Sequence, residues 1–184
     1  ELKLLISEIE RCNIIISDFL SVSKKSDTKL KISNLKEILE QQIVLLEKEA
    51  MLANILLNIE IDEIWLRVNA NEIKQLFLNL TQNAIDAMPE GGSLHIRLKE
   101  IENNVILEIE DVGEGISPEI LERIGTPFFT TKEKGTGLGI SVCQQIVEKH
   151  GAELEIKSKM GVGTKVRVIF PKVSQSELVE IPAK

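Results

Sequence analysis

One polar stripe in this 184-residue sequence has the residue types and spacing of a cation site. It lies on a predicted helix over 70–88, where steps of three and four place residues on one face. Its members are Glu72, Gln75, Asn79, Asn83 and Asp86. Asparagine is a poor helix former, and amide oxygens can coordinate Mg²⁺ without adding charge beside phosphates. The stripe therefore indicates either a Mg²⁺ site or an ordinary solvated helix face.

A second candidate is Asp111, at the end of a predicted strand. Val105, Leu107 and Ile109 point to one side of this strand, and Asp111 continues their parity. A carboxylate at the end of a core-facing row needs a hydrogen-bond donor, because burying an unpaired charge is costly. Glycines at 113 and 115 would let the backbone approach a flat ligand with an exocyclic amine. A simple turn aspartate in Asp-x-Gly is the alternative.

A third candidate is the sequence GTGLG, Gly135 to Gly139, which opens a predicted helix. Glycines expose backbone N–H groups, and a helix N-terminus attracts anions, so this segment could cradle phosphates. By itself the pattern is a weak signal. It lacks the lysine of a P-loop, and it does not follow the first strand of a βαβ unit, which argues against a dinucleotide fingerprint.

Composition narrows the function classes. Hydrophobic residues make up 43% and charged residues 28%, as in an ordinary globular protein. No apolar run reaches the roughly 20 residues that span a bilayer, so we expect a cytoplasmic region. The net charge is −7, and no basic patch carries interleaved aromatics, which argues against a nucleic-acid partner. Cys12 and Cys143 are predicted to be buried free thiols.

Residues 1–25 form a predicted helix with a heptad seam. Its seam residues, spaced 3, 4, 3, 4 and 3 apart, are Leu2, Leu5, Ile9, Cys12, Ile16 and Phe19. Such an apolar face needs a partner helix, from another chain or from upstream. Packing on its own globular domain is the alternative. Because the sequence begins with Glu1, we expect it to be a fragment, and a membrane attachment would have to come from upstream segments.

The remaining elements alternate between strands and helices. The pattern predicts a strand at 28–33, a helix from Asn34 to about Met51, and strands in NILLNIE and IWLRV joined by a turn at 62–63. A helix to Met88, a hairpin turning at 103–104, the short helix SPEILERI, the glycine-led helix to His150 and a last hairpin follow. This order predicts an α+β fold, a two-layer sandwich with a mixed sheet and helices on one face.

The motifs together resemble histidine protein kinases, with their Bergerat-type ATP-binding catalytic domain. Asn79-x-x-x-Asn83-Ala84 resembles the N box, DVGEGI the G1 box, PFFTTK the F box and GTGLGIS the G2 box. GVGTKVRV resembles the closing G-x-G-[ST] element. The resemblance covers 28–171 in order, and NAIDAMPEGG looks like the nitrogen-regulation and sporulation type. The helix 1–25 looks like the second helix of the dimerisation and phosphoacceptor hairpin.

The resemblance implies ATP between the two glycine clusters. Asp111 would accept from the adenine amino group with help from Gly115 and Thr164, and Asn83 with Asn79 would hold Mg²⁺. Segment 117–134 would form a lid. The ATP-binding residues that it implies are Asn79, Asn83, Ala87, Asp111, Gly113, Gly115, Ile116, Lys132, Gly135, Thr136, Gly137, Leu138, Gly139 and Thr164. Phe128 and Phe129 would anchor the lid, and Lys132 would either reach the phosphates or stay solvated.

Two departures from related proteins refine this interpretation. Gyrase- and chaperone-type ATPases carry a glutamate where Asn79 stands, so this site suits phosphate transfer better than hydrolysis. Some kinases carry a lysine where Asp86 stands. The contact that this lysine would make with the phosphates is therefore absent here. His95 and His150 lie outside the helical context of the family's phosphoacceptor, and we expect both to be structural. The acceptor histidine is expected upstream of Glu1, so these residues alone would not autophosphorylate.

The implied function is that of the catalytic region of a two-component sensor histidine kinase. It would pass the γ-phosphoryl of ATP to a histidine and then to an aspartate of a response-regulator receiver domain. Residues 1–26 would belong to the hairpin that makes a homodimer, 27–172 would bind ATP, and 173–184 would be a tail. The alternatives are a serine kinase of the anti-sigma type, an ATPase, and a non-catalytic dimerisation module.

Overall fold

A computed structural model of the protein describes residues 29–132 and 135–173. Its centre is a five-stranded mixed sheet in the order β2-β4-β5-β7-β6, with β2 parallel to β4 and the other neighbours antiparallel. A separate two-stranded ladder pairs β1 with β3. The strands are β1 (Lys31–Asn34), β2 (Ile55–Ile61), β3 (Trp65–Val68), β4 (Gly92–Ile101), β5 (Asn104–Asp111), β6 (Glu153–Lys159) and β7 (Gly163–Pro171).

Four helices lie between these strands, and asparagines begin the first two, as predicted. They are α1 (Leu35–Leu52), α2 (Ala70–Asp86), α3 (Pro118–Leu121) and α4 (Gly139–Lys149). The Asn34 side chain accepts from the backbone N–H of Lys36, which satisfies a donor at the start of α1. The Asn69 side chain likewise accepts from the N–H groups of Asn71 and Glu72 at the start of α2.

The core lies on one face of the sheet. Leu94, Ile96 and Leu98 on β4 and Leu107 and Ile109 on β5 are each at most 2% exposed, and they share one cluster with buried residues of α1, α2 and α4. The opposite face carries charged side chains joined across strands. Because apolar and charged residues alternate along β4 and β5, the apolar side chains of these strands pack against the helices. The predicted α+β sandwich with helices on one face is confirmed.

One detail of the predicted connections was wrong, the turn between β4 and β5. β2 and β3 form where expected, with residues 62–64 between them, and each pairs with another strand, because β2 runs parallel to β4 through the crossover that contains α2 and β3 pairs with β1. The β4–β5 turn falls at residues 102–103 instead of 103–104. Asn104 is held in the ladder opposite both Ile101 and Pro171, so the turn must come one residue earlier.

Other sequence predictions meet the structure only in part. Cys143 is buried and forms no disulfide, as expected. The heptad helix 1–25, Cys12, lid residues 133–134 and the tail beyond 173 lie outside the described residues. No helix among the described ranges is long and apolar enough to cross a membrane.

Candidate functional site

Helix α2 contacts the last residue of the second glycine cluster and the lid residue Lys132. Asn79 Nδ2 donates to the carbonyl oxygen of Gly139 at 3.3 Å, which ties the middle of α2 to the start of α4. One turn further along α2, Asn83 Oδ1 accepts from Lys132 Nζ at 3.0 Å. The same ammonium pairs with Asp86 Oδ2 at 2.7 Å. Three members of the predicted polar stripe, Asn79, Asn83 and Asp86, thus face the lid and the start of α4.

The oxygen atoms around Lys132 suit a cation. An amide oxygen of Asn83 and a carboxylate oxygen of Asp86 both accept hydrogen bonds from the ammonium. Oxygen atoms of these two kinds are usual ligands of Mg²⁺. Among the described residues, no group of three or more histidine, cysteine, aspartate or glutamate side chains could hold a metal. A Mg²⁺ ion at this place would therefore need further oxygen ligands from phosphates or water.

Asp111 is 6% exposed and is held by two backbone amides. Its Oδ1 accepts from the N–H of Gly113 at 2.9 Å and from the N–H of Thr164 at 3.2 Å. Burial raises the pKa of this carboxyl above its ordinary value, although the two amide hydrogen bonds act in the opposite direction. Within the described residues no hydrogen bond reaches Oδ2. That oxygen can accept a hydrogen bond from a ligand amine.

The glycines that follow Asp111 are required by close backbone packing. A Cβ on Gly113 would lie 2.3 Å from the carbonyl oxygen of Ala87, the residue that ends α2. Gly115 has φ +70°, and a Cβ there would lie 2.1 Å from the carbonyl oxygen of Lys159. Glu114 between them donates to the carbonyl of Ala87 and accepts from the N–H of Gly161. These contacts fix the G1-like loop between α2 and the β6–β7 turn.

The second glycine cluster packs against the two phenylalanines. Gly137 has φ +69°, and a Cβ there would lie 2.4 Å from the carbonyl carbon of Phe128. The N–H of Phe128 donates to the carbonyl of Gly137 at 3.0 Å. Phe128 itself has φ 66° and is 63% exposed, whereas the Phe129 ring lies 4.0 Å from the guanidinium carbon of Arg123. Of the two predicted anchors, Phe129 has this partner and Phe128 faces solvent.

The start of α4 leaves backbone donors for an anion. Its N-cap position is Leu138, which is 1% exposed and provides no side-chain cap. Thr136 Oγ1 accepts from the N–H of Leu138 at 3.3 Å, and a Cβ on Gly139 would meet only ordinary contact with Asn79. The first N–H groups of a helix have no intrahelical partner and carry its positive dipole end. These donors are of the kind that an anion site needs, and phosphate binding here stays a prediction.

Ser158 on β6 belongs to the site, although sequence analysis missed it. Its hydroxyl accepts from the N–H of Ile116 at 2.8 Å and lies 2.8 Å from Thr164 Oγ1. Ser158 and Thr164 are register partners across the β6–β7 hairpin, and Thr164 is the residue whose N–H contacts Asp111. Pairing the hairpin residue by residue from its glycine turn would have placed Ser158 beside Thr164.

Several of the predicted site residues line two different cavities. A cleft of about 500 Å³ is lined by Ala53, Ile85, Asp86, Met88, Pro89, Lys132 and Gly135. A second hollow, of about 360 Å³, includes Asp111, Ser158, Gly163 and Thr164 in its lining. The residues expected at adenine and the lysine expected near the phosphates thus line different hollows. The Asn79 and Asn83 side chains line neither, and they connect to the rest through the hydrogen bonds above.

These features are those of an ATP-binding catalytic domain. They are a mixed sheet with one helical layer, an aspartate at a strand end, and two glycine clusters packed against one helix. Residues 68–174 match the family described as histidine kinase-, DNA gyrase B- and HSP90-like ATPases. The chain belongs to this family, and among its branches it is a histidine kinase catalytic domain.

Individual relatives agree with this assignment. Sporulation kinase C of Bacillus subtilis (strain 168) is 37% identical over 176 residues, which are 94% of this chain and 41% of that kinase. The chain thus spans less than half the length of this curated relative. The solved catalytic domain of histidine kinase ThkA is 33% identical, with a TM-score of 0.71 over 78% of this chain and 96% of that one.

A further solved structure contains ThkA in complex with the response regulator protein TrrA. It matches 92% of this chain and 50% of that chain, with a TM-score of 0.77 and 29% identity.

Proposed function

We propose that this chain is the ATP-binding catalytic region of a two-component sensor kinase, which passes the γ-phosphoryl of Mg²⁺-ATP to a histidine. The family supports ATP as the substrate. The observation that carries the proposal is Asp111, a buried carboxylate with one oxygen fixed by two amides and the other without a hydrogen bond among the described residues. A site built to accept a hydrogen bond selects ligands that can donate one.

At the adenine end, Asp111 Oδ2 accepts from the exocyclic amine. Thr164, whose hydroxyl is oriented by Ser158, contributes through its side chain or through a water molecule. Gly113, Gly115 and Ile116 shape the backbone beside the ring, and Ala87 fixes that backbone by accepting from the N–H of Glu114. Each of these residues binds or positions the nucleotide, and none exchanges a proton with the phosphates.

At the phosphate end, backbone amides and one cation neutralise charge. The turn formed by Gly135, Thr136, Gly137, Leu138 and Gly139 would bind the phosphates at the start of α4. Its donors would be chiefly the N–H groups of Gly137 and Gly139, because the N–H of Gly135 donates to the carbonyl of Lys132 and that of Leu138 to Thr136 Oγ1. Asn83, together with Asn79, would provide amide oxygens to hold Mg²⁺, which would polarise the phosphoryl oxygens when it is bound. Lys132, which lines the cleft, would supply a positive charge. Phosphoryl transfer depends chiefly on such positioning and electrostatic stabilisation.

The phosphoryl acceptor in this proposal is a histidine outside the described residues. His150 is 8% exposed, and both ring nitrogens are engaged, with the N–H of Asn69 and the carbonyl of Ile146. His95 lies on the charged face of β4, beside Asn58. Neither histidine is available at the phosphate end. Asn79 in place of a glutamate base favours transfer over hydrolysis.

The proposed partners follow from the same assignment. Residues 27–172 would act as the ATP-binding domain, and 1–26 would pair with a second copy in the dimerisation hairpin. A response-regulator receiver domain would take the phosphoryl group from the histidine, and the similarity to a kinase solved with its response regulator supports such a partner.

The decisive experiment combines binding and transfer. Calorimetry with a non-hydrolysable ATP analogue and Mg²⁺ should give binding by the parent chain. Radiolabelled ATP should then yield acid-labile phosphate on a separately added, histidine-containing dimerisation hairpin of this family. Acid-stable phosphate would indicate a serine kinase, free phosphate alone an ATPase, and no binding an inert module. Each of these three results would contradict the proposal.

A further inference from the structure

Asp86 has a contact that the roles above leave unused. Its Oδ2 lies 2.7 Å from Lys132 Nζ, and the same ammonium lies 3.0 Å from Asn83 Oδ1. One cation thus bridges an amide oxygen and a carboxylate oxygen, which come from positions three apart on α2 and therefore share a face.

The Asp86 carboxylate is held in this orientation from its other side. Gln82 Nε2 donates to Asp86 Oδ1 at 2.8 Å, so Oδ2 is the oxygen directed to Lys132. Asp86 and Lys132 both line the 500 Å³ cleft, together with Gly135 of the glycine cluster. A carboxylate is therefore fixed where the phosphates are expected.

A carboxylate at that place is unfavourable for a polyanion unless a cation accompanies it. Lys132 neutralises Asp86 in the structure, but it cannot hold both oxygens and also turn fully toward phosphates. A divalent cation that arrives with the nucleotide can take the position between the two oxygens, because carboxylate and amide oxygens are among its usual ligands. Lys132 is then released toward the phosphate charge.

We propose that Asn83 and Asp86 form a cation seat, which Lys132 occupies without nucleotide and Mg²⁺ occupies, directly or through water, when nucleotide is bound. This inference rests on the proposed function, since it requires that ATP binds at this cleft. It adds Asp86 to the metal site and makes the metal and the lysine exchange places. Asp86 then makes nucleotide binding dependent on Mg²⁺.

The test is the effect of Mg²⁺ on the affinity for ADP, measured by calorimetry in Mg²⁺ and in EDTA. For Asp86→Asn we expect tighter binding than the parent in EDTA, because a like charge is removed and Lys132 is free. We also expect a smaller gain on adding Mg²⁺, by roughly threefold to tenfold, because a metal ligand is lost. A merely structural role would weaken binding equally in both conditions.

Two further variants complete the experiment. Asp62→Asn removes the same charge from the exposed turn after β2 and should leave the Mg²⁺ gain as in the parent. Lys132→Met should weaken binding in EDTA and keep or increase the Mg²⁺ gain. An unchanged Mg²⁺ gain in Asp86→Asn would overturn this inference alone, provided that the parent binds ADP. A parent that binds no nucleotide in either condition would instead overturn the proposed function.

Discussion

Asp111 and Thr164 are direct neighbours across β5 and β7, and the backbone N–H of Thr164 donates to Asp111 Oδ1 at 3.2 Å. The N–H of Gly113 donates to the same oxygen. Two backbone donors on one carboxylate oxygen leave the orientation of the group little freedom. The other oxygen therefore has a fixed direction, which the backbone sets before any ligand arrives.

Asp111→Asn should abolish most nucleotide binding without unfolding the domain. The amide oxygen of asparagine can accept from both backbone N–H groups, so its NH₂ group takes the place of Oδ2. A donor then faces the adenine amine, which is also a donor. We expect the affinity for an ATP analogue to fall about tenfold to a hundredfold, as for a lost hydrogen bond to a charged group.

Calorimetry would measure this loss, with Glu110→Gln as the matched control. Glu110 directly precedes Asp111, and its substitution by Gln removes the same charge. The Glu110 carboxylate, however, pairs with Lys165 and Arg97 on the opposite face of the sheet. Equal affinities in Asp111→Asn and the parent would show that adenine does not contact Oδ2.

The same variant should change how stability depends on pH. Burial raises the pKa of Asp111 in the folded state above its ordinary value of 3.8, so the folded state holds this proton more tightly than the unfolded state. Its contribution to stability is greatest below 3.8 and is lost as pH rises through the raised value. Asp111→Asn lacks this loss and should gain stability relative to the parent between acid and neutral pH, as measured by urea unfolding. If the parent instead became more stable relative to the variant as pH rises over this interval, the raised pKa of Asp111 would be contradicted.

Gly115 and Gly161 form a matched pair for testing the close backbone approach. Their φ angles are +70° and +71°, so alanine is strained at either position by a similar amount. A Cβ at 115 would lie 2.1 Å from a backbone oxygen, whereas a Cβ at 161 meets nothing within 4 Å. Gly161→Ala should cost about 1 kcal/mol and keep nucleotide affinity. Gly115→Ala should cost about 1–3 kcal/mol more, because the loop must move, and should weaken nucleotide binding. Denaturant unfolding would measure the stability of both variants, and calorimetry would measure their nucleotide affinity. Equal losses in the two variants would mean that the close approach of Gly115 to the backbone of Lys159 has no effect.

Sequence predicted the elements well because their signals are local. Leu94, Ile96 and Leu98 alternate with polar residues on β4, and asparagine caps mark the starts of α1 and α2. Asp111 was placed correctly by its parity with Leu107 and Ile109. Each of these signals is carried by neighbours within a few residues.

Sequence failed where contacts depend on tertiary pairing. The partner of β2 is β4, which lies beyond a whole helix, and nothing in the β2 segment specifies it. Ser158 enters the site through the hairpin register and a hydrogen bond to Ile116, forty-two residues away. The contact between Lys132 and Asp86 joins the lid to α2 and has no sequence periodicity. Long-range geometry of this kind is set by packing of the entire core.

The two histidines should differ sharply in their effect on stability. His150 Nε2 accepts from the N–H of Asn69 at 3.1 Å, Nδ1 contacts the carbonyl of Ile146 at 2.7 Å, and its ring packs edge-on against Phe170. His150→Phe keeps a ring and the backbone N–H that donates to the carbonyl of Ile146, but it leaves the buried N–H of Asn69 without its acceptor, which should cost about 1–3 kcal/mol. His95→Phe, on the charged face, loses only a 3.5 Å contact with Asn58 and should be nearly neutral. Urea unfolding of both variants would test this, and equal losses would contradict the structural role of His150.

Glu108 should make the outer face of the sheet sensitive to acid. Burial opposes its charge, but hydrogen bonds from Arg167 and Arg97, each at 2.6 Å, outweigh burial and lower its pKa below the ordinary 4.5. A depressed carboxylate pKa adds stability that is present above 4.5 and is lost as pH falls through the folded-state value. Glu108→Gln should therefore cost about 1–2 kcal/mol at pH 7, a modest loss because both arginines remain partly solvated. The difference from the parent should shrink as pH falls below 4.5, and Glu155→Gln on the edge strand β6 should show little effect at either pH. Chemical denaturation at neutral and acid pH would measure both, and a constant difference across pH would exclude an ionic role for Glu108.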